Sequence, residues 1–162
     1  MFSTIFTSQN SSPNITITSV TWSISLDTSA TYSGSEQSVM VLSVNPPSAT
    51  YNLTTIGATN AEEKAYTNLV GTGLYTGSFT SPTLTIVPAT ISGTPEDYVF
   101  YYTGSPQTAK VIKKVTPDNA TYSGMVKVTG TDVGYYTSSI TGTGNYTGTV
   151  IGGVLTILYV LT

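Results

Sequence analysis

Chemistry in this chain would have to come from carboxylates, because its 162 residues include no His and no Cys. Without imidazole or thiolate, the usual nucleophile and base pairs cannot be assembled, and transition-metal sites lose their preferred ligands. Two acidic pairs are adjacent in sequence, Glu62 with Glu63 and Glu96 with Asp97. Neighbours on a strand point to opposite faces, whereas two carboxylates serving one substrate must converge on it. Both pairs also lie beside turn-forming residues, so they read as solvated loop carboxylates. Asp97, Asp118 and Asp132 are candidates for a hard cation such as calcium, but none sits in a ligand-spaced loop. The expectation is a protein that is not an enzyme, with no catalytic residue, no metal and no cofactor.

The basic side chains are five lysines, Lys64, Lys110, Lys113, Lys114 and Lys127, and the net charge is −3. With no Arg fork for phosphate and no basic stripe, nucleic acid is not an expected partner. The lysines gather late in the chain, so the residues through Pro88 carry a net −3 and the remainder is neutral. Lysines on edge strands discourage edge-to-edge pairing, and that reading is preferred over an electrostatic docking patch. Sequons at Asn10, Asn14, Asn52, Asn119 and Asn145 raise surface glycans, though a Ser- and Thr-rich chain produces several by chance. Tyr98, Tyr101 and Tyr102, with Tyr135 and Tyr136, are candidates for stacking on sugars or on a protein. Alternation along strands predicts that about half of them face the core.

The elements that must position these groups are strands. Hydrophobic residues make up 39% of the chain and charged ones 8%, with 12 Tyr, 15 Gly and 8 Pro. Abundant β-branched and aromatic side chains between frequent turn residues suit pleated, half-buried surfaces. Internal repetition is the strongest signal. GTGLYTG at Gly71 to Gly77 returns as GTGNYTG at Gly142 to Gly148, and around it Tyr32 falls on Tyr102, Gln37 on Gln107 and Pro46 on Pro117. Leu84 and Ile86 likewise fall on Leu155 and Ile157, which makes a tandem duplication of about 70 residues. Ser38 to Val44 and Thr108 to Val115 read as strands closed by those prolines. LTIVP from Leu84 and LTILYVLT from Leu155 alternate at period two, as a last strand with one buried face would.

The repeated motif has a physical use. Gly73 and Gly77, with their counterparts Gly144 and Gly148, are expected to take positive φ at a hairpin. Tyr75 and Tyr146 are expected to lay their rings on the core, send their hydroxyls to backbone, and anchor their copies alike.

YTGSPQTAKV, then ATYSG, a GYYT strand and ITGTGNYTGTVIGGVLTI together resemble the bacterial immunoglobulin-like repeats of the MBG type. Such repeats occur in tandem in large bacterial surface proteins and in phage and other virus particles. The resemblance covers Ala89 to Leu158 nearly in full and about Ile15 to Val87 less well. Where the family pattern places a Gly before the strand tyrosine, as Gly134 stands before Tyr135, the first copy has AEEKAY. What the resemblance implies is an immunoglobulin-like sandwich serving as spacer, adhesive module or decoration, with no catalytic residues to transfer.

The expected architecture is therefore all-β, with two tandem immunoglobulin-like antiparallel β-sandwich units at 15–88 and 89–162 behind an N-terminal arm at 1–14. No stretch approaches the roughly 18 apolar residues that span a membrane. MFSTIFTSQNSSPN lacks a basic n-region and a cleavage site, so it does not read as a secretory signal. Together these point to a structural protein of a virion, such as a capsid decoration, minor capsid or fibre component, whose partners are protein subunits of a capsid or further copies of itself. The alternatives are a bacterial or archaeal cell-surface or extracellular filament or adhesin subunit, with partners in a surface layer, and a carbohydrate-binding module. The apolar Phe2, Ile5 and Phe6 of the arm are the candidate assembly contacts.

Overall fold

Alternation at period two governs the best-formed strands. In Thr83–Val87 the side chains of Leu84 and Ile86 are buried with Thr85 between them, and Leu155–Leu158 repeats the pattern with Leu155 and Ile157 enclosed. An extended backbone is what carries alternate positions to one face. The computed structural model describes residues 19–54, 57–65, 69–77, 79 and 83–160. These form an all-β, sandwich-like fold, and no helix occurs among them. The first half contains β1 (Ser23–Asp27), β2 (Ser29–Thr31), β3 (Met40–Asn45), β4 (Tyr51–Leu53), β5 (Glu63–Ala65), β6 (Leu69–Gly71) and β7 (Thr83–Val87). After it come β8 (Ala89–Thr90), β9 (Ser92–Pro95), β10 (Tyr98–Tyr101), β11 (Gln107–Ala109), β12 (Ile112–Thr116) and β13 (Tyr122–Gly124). The chain closes with β14 (Val128–Gly130), β15 (Gly134–Tyr136), β16 (Ser139–Gly142), β17 (Tyr146–Thr147), β18 (Thr149–Ile151) and β19 (Leu155–Leu158).

Pairing recurs from one half to the other. Antiparallel β1–β3 returns as β9–β12, β4–β6 as β13–β16, and β5–β7 as β15–β19. Within this mostly antiparallel scheme β2 runs parallel to β7, as β10 does to β19. In the sheets β2-β7-β5 and β10-β19-β15 the first strand thus lies beside the last, which requires the intervening chain to cross to the facing sheet and return. Side chains repeat the scheme: Gln37 Nε2 donates to the Thr31 carbonyl at 2.7 Å, and Gln107 Nε2 to the Tyr101 carbonyl at 3.0 Å. β3 and β12 stop immediately before Pro46 and Pro117.

One expected strand is broken. Thr108 to Val115 divides into β11, which pairs with β14, and β12, which pairs with β9. The chain changes sheets at Lys110 and Val111. The Val111 side chain is fully buried, and its carbonyl accepts the amides of Glu96 at 3.0 Å and Gly153 at 2.8 Å. Those two bonds hold the backbone out of a continuous ladder.

Among the described residues the core lies in four clusters, two in each half. Val39, Ala58, Leu84 and Ile86 correspond to Ala109, Val111, Leu155 and Ile157, while Trp22, Ala49 and Leu69 correspond to the cluster around Ile91, Ile112, Ile140, Tyr146 and Val150. Of the largest fully buried side chains among the described residues, Leu84 belongs to the first half and Val111, Ile112, Ile140, Leu155 and Ile157 to the second. Each such burial contributes about 1.5–3 kcal/mol, against about 0–1 kcal/mol for an exposed ion pair. Apolar packing therefore holds the fold.

Candidate interaction surfaces

The glycine-bracketed turns position a tyrosine in each half. Gly73 and Gly144 both hold φ of +65°, and Gly77 and Gly148 lie at +129° and +92°. In that region an L side chain crowds its own backbone, so Gly is the residue that fits. The Gly71 amide donates to the Gly77 carbonyl and the Gly142 amide to the Gly148 carbonyl, both at 2.9 Å. Thr50 and Thr121 each brace the turn by donating a hydroxyl to the carbonyl of Thr72 or Thr143, at 2.8 and 2.6 Å.

The two tyrosines nevertheless differ. Tyr75 is half-buried, and its hydroxyl pairs with Ser48 Oγ at 2.7 Å rather than with backbone. Tyr146 is buried and meets Tyr32 of the other half edge to face, with ring centroids 5.3 Å apart. Burial first, then the neighbouring Tyr32, raises the Tyr146 phenol above its ordinary pKa of 10.0. Around this contact β8 pairs in parallel with β17. Asn145 accepts the Ala61 amide at 2.8 Å and donates to Asn60 Oδ1 at 3.1 Å. The second turn is thus the seat of a junction between the halves, while the first faces outward with Leu74 at 56% exposure. The sequence offered one unread sign of this, since polar Asn145 stands where the first copy has Leu74. A closed junction also occupies the Asn145 amide and so disfavours a glycan there, whereas Asn52 and Asn119 are exposed.

The carboxylates have structural partners. Glu96 accepts the Tyr98 hydroxyl at 2.7 Å and Lys113 Nζ at 3.1 Å, and Asp97 accepts the Val154 amide at 2.8 Å. Glu62 and Glu63 are exposed. Among the described residues no three Asp or Glu side chains gather as metal ligands would. The hydrogen bond to Tyr98, then that to Lys113, holds Glu96 below its ordinary 4.5, and the same bond to Glu96 is the main cause raising Tyr98 above 10.0.

Two surfaces stand out. β3 and β12 occupy equivalent sheet-edge positions, each pairing with one strand among the described residues. β12 presents Lys113 and Lys114 there, and Lys114 lies 3.6 Å from Asp118. β3 has Leu42 and Ser43 in the same register, with Met40 64% and Leu42 61% exposed. The second surface is at the far end of the second half, where Tyr101, Leu158, Tyr159 and Val160 line an open cleft of ≈ 520 Å³. Of the tyrosine clusters, Tyr98 and Tyr136 are half-buried against the core, while Tyr101, Tyr102 and Tyr135 are exposed. Tyr101 and Tyr135 share one outer face, because their partners Leu158 and Thr156 are two residues apart on β19. Phe2, Ile5 and Phe6 lie outside the described residues. Compared with family models, curated proteins and solved structures, the chain finds no match.

Deleting an aromatic ring costs more where the cavity cannot collapse or fill with water. Tyr146→Ala is therefore expected to lower the urea midpoint by roughly twice as much as Tyr75→Ala. Equal shifts would mean that the Tyr32 contact adds nothing.

The Tyr98 and Glu96 pair predicts a pH signature. The lowered carboxyl contributes stability that is present above about 4.5 and is lost as pH falls through its folded value, and the raised phenol contributes stability present below about 10 and lost as pH rises through its own. Tyr98→Phe is expected to make the decline shallower at both ends in urea titrations. Parallel curves for variant and parent would remove the pair from the account.

Proposed function

We propose that this protein is a non-enzymatic structural component of a virus or phage particle, a capsid decoration, minor capsid or fibre protein built from two immunoglobulin-like units. The observation that carries the reading is the edge of β3. An apolar edge strand left open is a template for another chain, and proteins that stay monomeric blunt it with lysine or proline. The second half has that protection in Lys113 and Lys114, and the first has Met40 and Leu42. A pair of duplicated edges, one protected and one apolar, suits a subunit that holds a partner on one side and meets solvent on the other. The resemblance of Ala89 to Leu158 to repeats found in virus particles favours this class of assembly.

The arm supplies the anchor in this reading. MFSTIF precedes a polar spacer, SQNSSPN, and its Phe2, Ile5 and Phe6 suit a groove or a strand added to a neighbouring subunit. A filament or adhesin subunit at a cell surface is the second reading. It shares the open apolar edge and differs in where the protein is recovered. A carbohydrate-binding module draws on Tyr101 and Tyr135 and requires glycan affinity that Tyr135→Ala abolishes.

Quantitative mass spectrometry of purified particles and of cell envelopes separates the first two readings, since stoichiometric presence in a virion is expected and recovery from envelopes alone would overturn it. Within the assembly, deleting residues 1–12 is expected to leave the thermal melt of the free protein nearly unchanged and to abolish incorporation. Full occupancy by the truncated protein would exclude the arm as anchor.

A further inference from the structure

The sheets β2-β7-β5 and β10-β19-β15 are equivalent, yet their outer faces carry different side chains. In the first half the register places Ser29 and Glu63 on either side of Thr85, and Thr31 beside Val87. In the second it places Val99 and Tyr135 on either side of Thr156, and Tyr101 beside Leu158. Because Leu84 and Ile86, like Leu155 and Ile157, are buried in the core, the alternate residues of both sheets stand on the outer face. Three positions differ in character: Ser29, Thr31 and Glu63 are matched by Val99, Tyr101 and Tyr135.

Val99 and Tyr101 are each 60% exposed, and Tyr135 is 80% exposed. A fully covered Tyr buries about 150–250 Å², so these two rings leave roughly 200–350 Å² open before Val99 and Leu158 are added. None of the five side chains on this face is charged, whereas the first-half face carries the exposed Glu63. Depletion of charge and enrichment in tyrosine mark the centre of a protein–protein contact. A sugar would need amide, carboxylate or guanidinium groups beside the rings to bond its hydroxyls. Apart from the two phenols, Thr156 carries the only polar side-chain group of the five.

We propose that the outer face of β10, β19 and β15 packs against the same face of a second copy, forming a two-fold dimer. A two-fold axis sets a patch against itself, and an uncharged patch meets its copy without opposing like charges. On the first-half sheet the same arrangement would bring Glu63 toward its own counterpart. Of the two equivalent faces only the second therefore suits self-association, and the assembly closes at the dimer. Sheets packed face to face lie about 10 Å apart with their strands within about 30°, which leaves room for rings from both copies to interdigitate. The open area falls short of the roughly 800 Å² per partner of a standard interface, so the dimer is a reversible one. This goes beyond the virion reading, is separate from the β3 edge, and holds for a particle or a filament alike.

The test is sedimentation velocity on the full chain at concentrations up to roughly 1 mM, with NMR shifts followed on dilution. A monomer in equilibrium with a dimer and nothing larger is expected, and the shifts that move with concentration should belong to β10, β15 and β19. Tyr135→Glu, which puts the first half's residue on the second, is expected to weaken association by about tenfold or more with the urea midpoint unchanged. Tyr135→Phe is expected to keep it. Tyr101→Glu takes the place of Tyr135→Glu should the latter lower that midpoint. A monomer at every concentration overturns the proposal, as does growth beyond the dimer or association that survives both Glu variants. Association lost in Leu42→Lys and kept in Tyr135→Glu would instead place the contact on β3. Shifts at Tyr101 and Tyr135 that move only when a neutral glucan oligosaccharide is added would make the face a sugar platform and not a dimer interface.

Discussion

Tyr146 is buried because Tyr32 lies across it, and the relation between the two halves rests on that contact. Tyr32 packs against a core cluster of each half, so its ring belongs to both interiors. The chain allows little slack around it, since β7 ends at Val87 and β8 begins at Ala89. Backbone bonds from Ala89 to Asn145 and from Ile91 to Thr147, at 3.0 and 2.8 Å, tie the connecting segment to the second half. A junction made of strand pairing, one aromatic contact and an Asn clamp resists bending more than a polar linker of the same length would.

The two halves share one set of features and differ in another. Their shared features are those any copy needs in order to fold: alternate aliphatics on the last strand, positive-φ glycines at the turn, and a glutamine that ties down the loop after β2 or β10. What differs lies at edges and ends. Among the described residues the second half carries most of the largest fully buried side chains and the lysine-bearing edge, while the first has Trp22 stacked on Tyr51 and touching Phe79, and an apolar edge on β3. With few charges, long-range electrostatic attraction around this chain is weak.

Much of the fold was legible in the sequence because it is written in local rules. Pro46 and Pro117 end β3 and β12, the alternation in LTIV and LTIL marks buried strands, and the repeat spacing aligns the pairings of the two halves. Other features depend on contacts that local patterns do not encode. The break at Lys110 and Val111 follows from a carbonyl shared by two distant amides. The unequal tyrosines follow from Tyr32, whose position in the repeat gives no sign that it crosses to the other half. The replacement of Asn145 by Leu74 was visible, but its meaning depends on knowing which turn faces the junction.

The most direct test of the junction is native-state hydrogen exchange at the Ala61 amide, which donates across it to Asn145 Oδ1. If Tyr32, Tyr146 and the Asn145 clamp lock the halves together, this amide exchanges at a rate close to those of β19, and Tyr32→Ala speeds it without affecting β19. Exchange in the parent protein as fast as in an open linker would contradict the account, for the halves would then be tethered and not joined.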